Sequence, residues 1–447
     1  MKKSTLLLSA ILLCFVTSWS QKINYQKSFE EAKRLSAEQN KPLSILVTMQ
    51  PPVTVTNYLA VLNNPEVVAK FNSSFINYKV AREDTAGNSI IRQYKVYRFP
   101  SFVFLDSKDG VISKDAAIMP FVPEVISMAE AAINAGSEMS LVDFDKEYAA
   151  GMYSKAFLKA SITKRKKAGI KDNAVLIERY VDSLTIADLG NYQQVLFILQ
   201  AGPLADGRAY KLACTNKTII DSIYKTETFE ERTSINNGII ANTMASAIAN
   251  KNIARAYAAA SFTRGTWTTD YREGQKNYSL KLLQYYTGVK DTITYLREAV
   301  IFYDQYYMNI SIDSLKNRDQ QKMETAKRTA KEKSEKVNSN GVVTSSFSFV
   351  YAPNISATEL NNAAWAFYKS GTQDGTYLTK AMLWSKRSIE LNPVAGYYDT
   401  LAHLLYQLAF YAEAESTQQK AIELAKGEKR NVKQMEEELA KIKRKAL

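Results

Sequence analysis

The chain has 447 residues, 46% of them hydrophobic, with 58 Lys and Arg against 45 Asp and Glu, one His and two Cys. Such a length accommodates two or three domains, each with its own core; the formal charge of +13 is spread along the chain, and for a chain that reads as exported nucleic acid is not an expected partner. One histidine and two cysteines exclude a zinc site of ordinary Cys/His composition, no Walker A loop or dinucleotide fingerprint occurs, and neither metal nor cofactor is expected.

Residues 1–20 read as an export signal: Lys2 and Lys3 form a basic n-region, Leu6 to Val16 an apolar run, and Ser18-Trp19-Ser20 the approach to a cleavage site. The mature chain is expected to begin at Gln21 and to be periplasmic or extracellular. Cys14 leaves with the signal, so Cys214 stands alone without an intramolecular disulfide partner. Its neighbours Tyr210, Leu212 and Ala213 mark it as a small core residue. No later stretch is apolar for the roughly 18 residues a membrane helix needs.

Residues 21–135 form a first unit. Ser28 opens a capped helix with Glu31 three positions on. Asn40-Lys41-Pro42 hands over to a strand at 43–48. After Pro51-Pro52-Val53-Thr54 a helix is predicted to Phe71, kinked or restarted at Asn64-Pro65. Phe75 to Val80 alternates as a strand, Ala86 to Tyr94 reads as a short helix, and Ser101 to Leu105 as a strand. Asp106 to Gly110 is a turn, where hairpin chemistry accounts for Asp106 and Asp109. Residues 110–112 open the last hairpin strand, and Pro123 to Ala135 closes the unit as a helix with Pro in its first turn.

Residues 141–312 are predicted all-helical, with Gly169 and Gly190 breaking the runs and Tyr and Ala interleaved as in stacked helix pairs. Residues 313–355 are a polar helix and linker, with 316–345 projecting or poorly packed. From 356 to 447 the chain repeats itself: Ser388-Ile389-Glu390-Leu391 returns thirty-three residues on as Ala421-Ile422-Glu423-Leu424, and Ala381 as Ala414. Val432, Met435, Leu439 and Ile442 form the stripe of a capping helix. His403, inside a predicted helix, reads as packed or groove-lining.

Two resemblances rest on these residues. The Lys41-Pro42-strand opening, followed at the proper spacing by Phe99-Pro100-Ser101-Phe102-Val103-Phe104-Leu105-Asp106 and a Gly turn, resembles the thioredoxin-like family. The resemblance implies an α/β thioredoxin-like fold for the first unit, with a cis proline at Pro100. Active members carry Cys-x-x-Cys in the turn; here those positions fall on Pro51 and Thr54, neither of which can form the thiolate that exchange requires. Thr54 reads as a helix cap. Phe99 departs from the small or β-branched residue usual before that proline. The repeat, with Leu391-Asn392-Pro393 as its ending, resembles tetratricopeptide units, whose period is about 34; Gly371 to Gly375 is an insertion and Gln418 stands where an aromatic is usual.

The expected function is therefore that of an exported, redox-inactive thioredoxin-like protein binding a protein or peptide ligand through its groove (Pro51, Pro52, Val53, Thr54, Phe99 and Pro100) and its helical repeats. The alternatives are a thiol-disulfide oxidoreductase or isomerase, and a folding-assistance subunit of an envelope complex.

Overall fold

The computed structural model describes residues 22–49, 59–97, 99–118, 121–170, 173–338 and 354–447. The expected signal at 1–20 and the turn at 51–54 lie outside the described residues. The chain divides into two compact units, Met1–Ala245 and Ser246–Leu447, so the division falls within the stretch 141–312 that the sequence reads as one helical region.

The first unit begins with β1 (Tyr25–Gln26), α1 (Phe29–Gln39), β2 (Leu43–Thr48), α2 (Pro65–Ser74), β3 (Ile76–Ala81), α3 (Thr85–Tyr94), β4 (Ser101–Leu105), β5 (Val111–Ala117) and α4 (Val122–Ser137). The strands form one mixed sheet in the order β1-β3-β2-β4-β5. β1 and β2 run parallel to β3, whereas β4 runs antiparallel to both β2 and β5.

Local chemistry sets these boundaries. Ser28 Oγ accepts from Glu31 N and caps α1. A 3-10 turn, Ala60–Asn63, precedes α2, and the Asn64 side chain caps that helix with Pro65 in its first turn. Asn64-Pro65 thus starts a new helix. Asp106 Oδ1 accepts from Lys108 N at 2.9 Å and Gly110 N at 2.8 Å, which holds the β4–β5 turn. At Gly87 a Cβ would stand 1.9 Å from the Ala81 carbonyl oxygen, so α3 can lie this close to the end of β3 only without a side chain there.

The central strands alternate between two cores. Leu46, Phe102 and Phe104 face Val67, Val68 and Phe71 of α2 and Val125 and Ala129 of α4. Leu43, Ile45, Val47, Val103 and Leu105 face Ala32 of α1 and Ile90 and Tyr94 of α3. β2 and β4 are buried along their whole length, because helices cover both faces of the sheet. Phe71, Phe102 and Phe104 are fully buried, each contributing about 1.5–3 kcal/mol by removal from water.

The rest of this unit is helical: α5 (Leu141–Ala149), α6 (Lys155–Lys167), α7 (Ala174–Asp182), α8 (Ile186–Leu189), α9 (Tyr192–Ala201), α10 (Arg208–Ala213), α11 (Lys217–Thr226) and the start of α12 (Phe229–Ala249). Ser140, Ser154, Thr185, Asn191 and Asn216 each cap the helix that follows. Gly202, at φ +73°, ends α9, and its carbonyl accepts from the buried Asn242 amide at 2.6 Å.

The second unit holds the end of α12, then α13 (Ile253–Gly265), α14 (Tyr271–Gly288), α15 (Thr292–Tyr303) with a π-helical turn (Asp304–Met308), and α16 (Ile312–Asn338). It continues with α17 (Ile355–Lys369), α18 (Gly375–Leu391), α19 (Ala395–Gln407), α20 (Tyr411–Gly427) and α21 (Lys433–Lys443). Its core gathers Phe302, Tyr307, Phe367 and Trp384 with alanines 299, 357, 363, 364 and 381. Small residues let these helices approach closely while the aromatics fill the space between them. The expectation that 316–345 projects needs correction at its start. Leu315 and Asp319 are buried, and Asp319 accepts from Ser356 N at 2.8 Å and Ser356 Oγ at 2.7 Å. The first turns of α16 are therefore anchored to α17. Ile442 of α21 packs on Leu401, Leu405 and Ala414.

Candidate functional site

The carboxyl ends of β2 and β3 meet the start of β4 at one corner of the sheet. Arg82 N donates to the Thr48 carbonyl at 2.8 Å, Thr48 Oγ1 donates to the Val80 carbonyl at 3.2 Å, and Val47 pairs with Ser101. The Phe99–Pro100 peptide bond, which leads into β4, is cis. In open α/β sheets ligands gather outside the carboxyl ends of the strands, where the direction of connection changes, and here β2 lies between a parallel and an antiparallel neighbour.

Two of the six residues singled out from the sequence are described at this corner. Phe99 is half-buried against the core shared with α1 and α3. The Arg82 guanidinium lies 5.3 Å from its ring centre, at cation–π distance, and the same side chain pairs with Glu83 at 3.3 Å. Pro100 is half-buried. Tyr97 stands out from the surface at 72% exposure. Pro51, Pro52, Val53 and Thr54 fall outside the described residues.

Cys214 is half-buried at the end of α10. Burial pushes its thiol up, and a hydrogen bond with Tyr210 only partly offsets this. A raised thiol is the reverse of the activation that a nucleophilic or exchanging cysteine needs.

The second unit carries charge where the sequence suggests none. Lys276 on α14 is 4% exposed; its Nζ donates to Tyr307 Oη at 2.6 Å and lies 3.6 Å from Glu359. Burial lowers the Lys276 pKa and raises that of Glu359, each opposed by the attraction between them. Glu359 keeps 40% of its side chain exposed, so solvent screens the pair. Arg318 adds a cation–π contact to Tyr307 at 5.1 Å and donates to Ser356 Oγ at 3.1 Å. These partners lie far apart in sequence, and no local signal reports them. A shallow surface groove of about 680 Å³ runs between α18 and the α19–α20 turn, with Lys380, Leu383, Leu408 and Phe410 in its lining. His403 is buried on α19, as its place in the predicted helix implies.

Comparison with protein-family models, with curated proteins and with solved structures finds no match. Among the described residues no helix is long and apolar enough to cross a membrane.

Proposed function

We propose that this chain is an exported thioredoxin-like protein without redox chemistry, which holds a protein or peptide segment at the sheet corner and on its tetratricopeptide-like helices. The observation that carries the reading is the strand order β1-β3-β2-β4-β5, with β4 entered through Phe99-Pro100 and β2 leading into a segment where Pro51 and Thr54 stand in place of thiols. Such a scaffold keeps the surfaces that pair with an extended segment and lacks the sulfur needed for exchange. The raised thiol of Cys214 supports the same conclusion. On the repeats, Leu383 and Phe410 are partly exposed at 39% and 49% beside Lys380, an apolar surface with a charged edge.

The test is photo-crosslinking in the native envelope from two positions, Phe99 and Phe410. Discrete protein adducts from position 99, together with weaker ligand binding in Phe99→Ala at unchanged far-UV circular dichroism, support the sheet corner. Adducts from position 410 alone move the site to the repeats. No adduct from either position contradicts a holding role.

A further inference from the structure

We propose that Asp399, His403 and Glu438 form a divalent-cation site that ties α21 to α19, with Zn2+ the cation its donors suit best. One ligand atom from each residue can be chosen so that no two lie more than 4.8 Å apart. Asp399 and His403 are four residues apart on α19 and share a face; Glu438 reaches them from α21. A sequence with one histidine and no cysteine cluster gives no sign of this, because the third ligand lies 35 residues beyond the second.

The hydrogen bonds around the triad orient it as ligands are oriented. His403 Nδ1 lies 2.8 Å from the Asp399 carbonyl. A carbonyl only accepts, so Nδ1 carries a proton, which leaves Nε2 as the nitrogen placed to ligate. That nitrogen, Nε2, faces Glu438 Oε2 at 3.9 Å. That pair is too far apart for a hydrogen bond and within the roughly 4.2 Å that two metal–ligand bonds of about 2.1 Å can span; the widest pair, at up to 4.8 Å, has to close by about 0.6 Å to share the ion. Glu438 Oε1 accepts from Gln434 Nε2 at 3.1 Å, and Asp399 Oδ1 accepts from Gln418 Nε2 at 2.8 Å, leaving each carboxylate one further oxygen for the cation. Among the described residues neither carboxylate has a Lys or Arg ion-pair partner.

An independent sign comes from Gln418. It is fully buried where the repeat pattern has an aromatic, its amide is bonded to Asp399, and its Oε1 has no hydrogen-bond partner among the described residues. A buried amide oxygen without a donor is costly, and the structure carries that cost at the side chain whose amide nitrogen fixes Asp399 and also lies 3.4 Å from the Met435 carbonyl. Trp365 and Tyr368 hold the imidazole edge-on, with ring centres 5.3 and 5.1 Å away. One imidazole and two carboxylates suit a borderline divalent ion better than Ca2+ or Mg2+, which favour all-oxygen shells. Three protein ligands leave at least one position of the ion open.

His403 is the only histidine, so the tag-free, chelator-stripped protein gives a single set of imidazole resonances. Titration with ZnCl2 is expected to shift that set, with one ion bound per chain by calorimetry and slower amide exchange in α21. Glu438→Gln and His403→Gln are each expected to weaken binding by at least about tenfold, the scale of losing even an outer-shell group. An imidazole that ignores Zn2+, or Zn2+ uptake equal in wild type and Glu438→Gln, overturns the site. If His403→Gln fails to fold, Glu438→Gln, at a position with 17% exposure, decides the matter.

Discussion

Replacing Lys276 by Met and Tyr307 by Phe, singly and together, tests whether the buried charge of the second unit is held by its partner. Lys276→Met leaves the Tyr307 hydroxyl, on a side chain only 1% exposed, without its 2.6 Å partner, which costs about 1–3 kcal/mol. Tyr307→Phe leaves the ammonium without a hydrogen-bonded neighbour at 2.6 Å, with Glu359 3.6 Å away and 40% exposed and Glu273 acting more weakly, and loses a charge-assisted hydrogen bond of about 1.5–3 kcal/mol. The double variant leaves neither group stranded. Its cost is therefore expected to fall short of the sum by about 1.5–2.5 kcal/mol, within the range of directly bonded pairs. The assay is urea unfolding followed by tryptophan fluorescence. Beyond residue 20 the tryptophans are Trp267, Trp365 and Trp384, all in the second unit, so the signal isolates it. Additivity within about 0.5 kcal/mol would refute the reasoning.

Gly87→Ala is expected to destabilise the first unit by about 1–3 kcal/mol, because the added Cβ would meet the Ala81 carbonyl at 1.9 Å; chemical denaturation followed by far-UV circular dichroism measures it. The Lys155 ammonium and Thr185 hold the Asp188 carboxyl well below its ordinary 3.8. Its stabilisation is accordingly present above pH 3.8 and lost as the pH falls from there toward the folded value, so Asp188→Asn should flatten that part of an acid titration; an unchanged acid limb would discount the pair. Cys214 should be alkylated by iodoacetamide more slowly in the native protein than in urea at the same pH, since its raised pKa reduces the thiolate fraction; equal rates would mean that burial does not protect it.

What could be read from the sequence was local. The Ser28 and Asn64 caps, the Asp106 turn and the alternation of Phe102 and Phe104 are set by residues within a few positions of one another, and β2, β3, β4 and the helices between them follow. The partnerships that place charge inside did not show. Lys276 and Tyr307 are 31 residues apart, and Asp319 and Ser356 are 37, so nothing near either residue in the sequence marks Lys276 or Asp319 as buried. The stretch read as projecting is tied down at its start by such a pair. Gln418 lies between these cases: its departure from the repeat pattern was visible, but the reason, a hydrogen bond to Asp399 on the neighbouring helix, was not. At the sheet corner the sequence singled out Phe99, and the structure adds the Arg82 guanidinium over its ring.

The central claim is that this scaffold holds its ligand without exchanging electrons. Turnover of an insulin disulfide by the purified chain, with dithiothreitol as reductant and Cys214→Ser in parallel, tests it most directly. The expected result is a rate equal to the uncatalysed background for both proteins; catalysed reduction by the wild type that disappears in Cys214→Ser would contradict it.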